Sequence, residues 1–209
     1  MHIMKYFSLT ALFGAGALAS GGCADNRTSL YIDGVQGFEV DGECDLDPSV
    51  DSDRIGVGQG TYDPGSGLPY YAPLIIGNQL VPQGNNDTLR PETSRIQLEG
   101  AIVQVIGLDV GNTGLVSETT SYFSGTVDPV DSTSPGVAAV TVALFKNEDL
   151  RNGTYQVKIR VFGTTLGGTE VESGDFLFPV LVEAGSSPPC VDPELAHPCG
   201  WPQDGFCRL

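Results

Sequence analysis

Leu150 to Val161 reads LRNGTYQVKIRV, and from Tyr155 onward its chemistry changes residue by residue. Tyr155, Val157, Ile159 and Val161 fall on one side of an extended chain, and Gln156, Lys158 and Arg160 fall on the other. A period of two marks a strand with one face in a core and the other in water. Working outward, GVAAVTVALF (Gly136 to Phe145) is a strong strand before it, and TEVESGDFLFPVLV (Thr169 to Val182) is a strand after it. Upstream, RIQLEGAIVQVIGL (Arg95 to Leu108) alternates through Ile96, Leu98, Ala101, Val103 and Val105, and the slip in phase at Gly100 predicts a bulge. LVSETTSYFSGTV (Leu115 to Val127) is a weaker strand or a hairpin. SLYIDGVQGFEV (Ser29 to Val40) and Pro73 to Val81 complete the set. About seven or eight strands joined by turn-rich segments form the pattern of an antiparallel sandwich. No run of ten or more residues shows a helical period, although NEDLRN (Asn147 to Asn152) fits a single turn.

Leu150, Gly153 and Tyr155 resemble the tyrosine corner of immunoglobulin-like and fibronectin-type sandwiches. There the tyrosine hydroxyl bonds back to the loop before its strand and pins the crossover between the sheets. The resemblance implies that Gly136 to Phe145 precedes the crossover and that Thr169 to Val182 is the last strand. The alternative is an ordinary strand that begins with tyrosine.

The chain of 209 residues has 28 Gly and 14 Pro, mostly between apolar runs, which disfavours long helices. Its formal net charge is −16. Removing residues 1–22 takes away one lysine and no acid, leaving 26 acids against 9 bases and a charge of −17. Nucleic acid is excluded as a partner, because phosphate binding needs clustered Lys and Arg. Polybasic attachment to anionic lipid is disfavoured for the same reason. The acids are scattered through loops, and their simplest effect is solubility.

The first residues are an export signal. Lys5 is the positive region, and FSLTALFGAGALA (Phe7 to Ala19) is an apolar stretch too short to span a bilayer. Ser20-Gly21-Gly22-Cys23 has the form of a lipobox, in which the cysteine is lipidated and becomes the new N-terminus. Ser20 stands where a large aliphatic residue is usual, and Ala17-Leu18-Ala19 offers ordinary signal peptidase a competing site. The odd count of five cysteines favours lipidation. With Cys23 on lipid, Cys44, Cys190, Cys199 and Cys207 remain to form two disulfides. If the first and last strands run parallel, Cys44 pairs with Cys190 and Cys199 with Cys207. In the chain-entropy account the long loop contributes about 4–5 kcal/mol and the short one about 2–3 kcal/mol. The other two connectivities stay open. A rival reading makes Cys190, His197, Cys199 and Cys207 a zinc site, which the oxidising compartment disfavours. The resulting division is a signal peptide at 1–22, a lipidated tether at 23–29, a β-sandwich at 30–189 and a Cys-rich tail at 190–209.

Catalytic signatures are missing. The two histidines are His2 in the signal and His197 in the tail, and there is no nucleophile elbow, P-loop or H-E-x-x-H. A secreted hydrolase built on paired carboxylates remains the remote alternative. Two further patterns carry binding chemistry. Asp45, Asp47, Asp51 and Asp53 are spaced closely enough to converge on Ca²⁺, although not as an EF-hand, and otherwise form a solvated acidic loop. No other cofactor is expected. Tyr62, Tyr70 and Tyr71 flank Gly/Pro turns; they either contact carbohydrate or protein, or cover one end of the core.

The cysteine leader, SLYIDGVQ, GNQLVPQGNNDTLRPETSRIQLEGAIVQV and VFGTTLGGTEVESGDFLFPV, followed by a cysteine-bearing tail, resemble uncharacterised lipoproteins of myxobacteria and their relatives. The resemblance implies lipid anchoring in the envelope and no assigned activity. Ala24 after the cysteine, in place of an inner-membrane retention aspartate, favours the outer membrane. The expectation is a non-catalytic envelope protein that binds other envelope proteins in a surface assembly, with a carbohydrate-binding module as the alternative.

Overall fold

Two sheets face one another in the computed structural model, which describes residues 29–37, 56–85, 87, 89–108, 114–130, 134–145, 150–187, 189 and 203–204. The strands are β1 (Leu30–Val35), β2 (Gly60–Tyr62), β3 (Tyr70–Asn78), β4 (Ile96–Gly107), β5 (Gly114–Val127), β6 (Gly136–Phe145), β7 (Gly153–Thr165), β8 (Glu170–Glu172) and β9 (Phe176–Val182). The smaller sheet has the order β1-β3-β6, and the larger has β2-β9-β7-β4-β5 with β8 paired to β7. Every pairing between these strands is antiparallel except β2 with β9. The described residues include no α-helix; the one helical element is a 3-10 turn at Pro64–Ser66.

The all-β expectation holds, and the alternating stretch takes a central place. Strand β7 lies between β4 and β9 and buries Tyr155, Val157, Ile159 and Val161, while Gln156, Lys158 and Arg160 stay partly exposed. Those buried residues meet Leu74, Ile76, Val142 and Leu144 of the smaller sheet in one core. The Tyr155 hydroxyl donates to the Arg151 carbonyl at 3.0 Å, the back-bond expected of the corner. The register of β4 shifts between Leu98 and Gly100 against both neighbours, so the bulge lies where the phase slips.

Several boundaries differ from expectation. The stretch Leu115 to Val127 is one long strand, not a hairpin. The second expected strand starts three residues earlier, at Tyr70, and ends at Asn78. The Asn78 side chain explains that end. Its amide donates to the carbonyls of Ser94 and Val127, and its oxygen accepts the Leu80 N–H, turning the chain off the sheet. The stretch Thr169 to Val182 divides into β8 and β9 at Ser173, whose hydroxyl accepts the Val161 N–H at 2.9 Å where a ladder carbonyl would otherwise sit.

The parallel partner of the last strand is β2, which no sequence pattern marked. Strand β1 pairs with β3 and reaches the β8–β9 region only through a parallel bridge from Leu30 to Ser173. The premise for joining Cys44 to Cys190 therefore passes from β1 to β2. Gly60 makes this placement possible: a Cβ there would lie 2.3 Å from the Tyr70 hydroxyl oxygen. With β2 on its flank at Val180–Val182, β9 is not an open edge there. The larger sheet ends at β2 on one side and β5 on the other.

Candidate binding groove on the outer face of the larger sheet

The bulge in β4 builds a groove on the face of the larger sheet that points away from the core. A bulge sets two residues opposite one. Leu98 and Ala101 both remain in the core, and Glu99 between them stays exposed outside. Beyond the bulge, Gly100 pairs with Tyr122 of β5 on one side and Phe162 of β7 on the other, and Phe162 pairs in turn with Glu172 of β8. The next row is Thr120, Ile102 and Arg160. A glycine thus lies between two aromatic residues. A Cβ on Gly100 would come within 2.9 Å of the Phe162 ring and 2.8 Å of the Ser121 carbonyl oxygen, so the ring rests over the glycine.

The resulting cleft has a volume of about 350 Å³. Phe162 and Ile102 form its floor, Tyr122 forms one wall and is 79 % exposed, and Glu99, Glu170 and Glu172 contribute carboxylates. Thr164 donates its hydroxyl to Glu99 at 2.7 Å. Beside the cleft the cations of β7 are paired. Lys158 meets Asp175 at 2.9 Å, and Arg160 meets Asp175 at 3.1 Å and Glu172 at 3.5 Å. The hydrogen bond from Lys158, with Arg160 beside it, holds the Asp175 carboxyl below its ordinary range against slight desolvation. Among the described residues no His, Cys or Ser lines the cleft. Its chemistry suits holding a ligand with an apolar or flat face and groups that bind carboxylates.

The tyrosines picked out from sequence lie elsewhere. Tyr70 has no exposed surface and packs against Tyr62, Phe145 and Phe178, with Tyr62 stacked on Phe145 at 5.1 Å. These two rings cover one end of the core, so a surface ligand cannot use Tyr70. The reason is its position as the first residue of β3, directly opposite Phe145. Tyr71 is half-buried, and its backbone is held by the tail: Gln203 accepts the Tyr71 N–H at 2.9 Å and donates to the Tyr71 carbonyl at 2.7 Å. Asp204 accepts from the Thr61 N–H and the Tyr70 hydroxyl, and its own N–H donates to the Thr61 carbonyl. Burial raises the Asp204 carboxyl above its ordinary value, opposed by the donors from Thr61, Tyr70 and Gln203. Burial also raises the Tyr70 hydroxyl, with the Asp204 charge adding to it. Cys23, Cys44, Cys190, Cys199 and Cys207 lie outside the described residues, as do His197 and the calcium candidates Asp45, Asp47, Asp51 and Asp53.

The groove residues were not singled out from sequence. Their one linear trace is the phase slip at Gly100; Tyr122 sits in a weakly patterned strand, and Phe162 reads as the polar-face member of an alternating one.

No protein-family profile matches this chain, and no curated protein matches it. Among solved structures it is similar to Spo0M, a sporulation control protein from Bacillus subtilis, at 14% identity and a TM-score of 0.30. The alignment covers 63% of this chain and 51% of that one, so the chain spans about half of that protein's length. A likeness of that size supports no statement about fold or function.

Proposed function

We propose that this chain is a lipid-anchored protein of the bacterial envelope, held through Cys23, with a non-catalytic binding role in a surface assembly. In this reading the groove between Tyr122 and Phe162 is the contact surface. The observation that carries it is the exposure of Tyr122 beside Phe162. A large aromatic side chain 79 % exposed next to a second one, whose ring rests over a glycine, is an apolar patch with a shape. The parallel β2–β9 pairing and the Tyr155–Arg151 corner support an immunoglobulin-like sandwich as the scaffold. Such a scaffold presents a rigid sheet face, and rigidity limits the entropy lost on binding. The four remaining cysteines form two disulfides in this reading, and the outer membrane is the location.

Burial of Tyr70 weakens the carbohydrate-module reading in the form that used Tyr70 and Tyr71. Recruitment of a partner strand along β9, the last strand, is disfavoured because β2 covers its end.

Photo-crosslinking in intact cells tests the surface. A benzophenone side chain at Tyr122 is compared with one at Leu89, which is 90 % exposed on a loop. A reproducible adduct from position 122 alone supports the reading, and equal or absent adducts at both positions overturn it. Intact mass of the membrane-extracted protein tests the anchor, and a mass without acyl chains overturns it.

A further inference from the structure

The charge around the groove points to what it holds. Glu99, Glu170 and Glu172 contribute to the lining, and among the described residues no cationic side chain does, although Arg160 at its border pairs with Glu172. Among the described residues neither Glu99 nor Glu170 has an ion-pair partner, whereas the nearby Lys158 and Arg160 are already paired. The aromatic rings add a second preference. Tyr122 and Phe162 flank β4, so their Cα atoms are about 10 Å apart, two inter-strand spacings. Because the Phe162 ring fills the space over Gly100, a flat cationic group stacks on the outer face of that ring or of Tyr122 while its N–H groups reach the carboxylates at the edge.

We propose that the groove receives an arginine side chain from an extended basic segment of a partner protein. The proposal rests on the reading of the groove as a binding surface and names its ligand. The place of β5 makes an extended segment the fitting form. Thr120 and Tyr122 belong to β5, a terminal strand of its sheet, and a chain laid along that strand directs alternate side chains over the groove. Two carboxylates without an ion-pair partner among the described residues, Glu99 and Glu170, match a cationic ligand better than a neutral sugar, and they repel phosphate.

The test uses the full chain in zwitterionic detergent, with backbone amide NMR as the readout. Three probes are titrated: acetyl-Thr-Arg-Thr-Arg-Thr-Arg-amide, the same peptide with Gln for Arg, and chitohexaose. The arginine peptide is expected to shift the amides of Gly100, Phe162 and Glu172 saturably and to bind at least tenfold more tightly than the glutamine peptide. Tyr122→Ala weakens it at least tenfold, and the Glu99→Gln, Glu170→Gln pair weakens it and flattens its salt dependence. All three residues are exposed, so these variants fold. Equal binding of the two peptides, shifts away from the groove, or indifference to Tyr122→Ala overturns the proposal. Chitohexaose binding in the groove without the arginine peptide also overturns it, while the groove remains a binding surface. If no probe moves the groove amides, the cationic ligand is wrong, and the crosslink at position 122 judges the surface separately.

Discussion

The hydroxyl of Tyr70 lies 3.0 Å and 3.1 Å from the two carboxylate oxygens of Asp204, a residue 134 positions later in the chain. That contact ties the tail to the first residue of β3, and the Thr61 N–H ties the same carboxylate to β2 at 2.8 Å. Each strand belongs to a different sheet. Asp204→Ala leaves both donors without this acceptor in a largely buried place. The expected loss is about 1–3 kcal/mol, since an unsatisfied buried donor forfeits its solvation. Urea denaturation measures it as a lower midpoint at unchanged slope.

The same carboxyl gives stability a pH dependence of defined sign. Burial raises Asp204 above its ordinary 3.8, so the folded chain holds this proton more tightly than the unfolded one. The protonated form's contribution is complete below the ordinary value and is lost as pH rises through the folded value. Asp175, held low by Lys158, acts in the opposite sense and loses its contribution as pH falls. Comparing the chain with Asp204→Asn isolates the first effect. Between pH 3 and pH 6 the stability of the unmodified chain should fall relative to the variant; a constant difference contradicts the assignment.

Tyr155→Phe removes the hydroxyl that donates to Arg151 and keeps the ring that packs against Phe145 at 6.5 Å. The expected cost is about 1 kcal/mol, the net value of a typical hydrogen bond. Thermal unfolding monitored by circular dichroism reads it as a lower midpoint with the β signature intact.

Gly163 faces the backbone of β4 so closely that a Cβ would lie 2.3 Å from the Gln97 carbonyl oxygen. A main-chain atom in the middle of a ladder cannot rotate aside. Gly163→Ala should therefore cost about 1–3 kcal/mol, as overpacking does. Gly34→Ala is the control, since a Cβ there meets nothing within 4 Å. Its midpoint should stay within about 0.5 kcal/mol of the original, as at other open surface sites.

Strands were legible where alternation ran long. The expected bounds of β6 match, and those of β4 fall within one residue, because one buried and one wet face write a period of two into the chain. Strand β2 left no such trace. It is three residues long, and it exists because Gly60 lets it lie against Tyr70, a contact between chain neighbours that linear pattern does not encode. Tyr70 looked like a loop residue because Pro69 and Gly67 precede it, whereas its pairing with Phe145 places it in the core. The groove was half legible. The slip at Gly100 located the bulge, but Tyr122 and Phe162 come from strands 40 positions apart that only β4 brings side by side.

The cleft formed by Ser29, Ser94, Thr165 and Gly167 marks the end of the sandwich at which the chain enters β1, opposite the end capped by Tyr70 and Asp204. Gly100 lies four residues into β4 from that arrival end, about 14 Å along the strand. The six residues between Cys23 and Leu30 span at most about 25 Å. If Cys23 carries lipid as proposed, a domain leashed this way keeps to a shallow layer above the bilayer. Encounters with neighbours in the same membrane would then become a two-dimensional search at raised effective concentration, and soluble molecules would gain no such advantage.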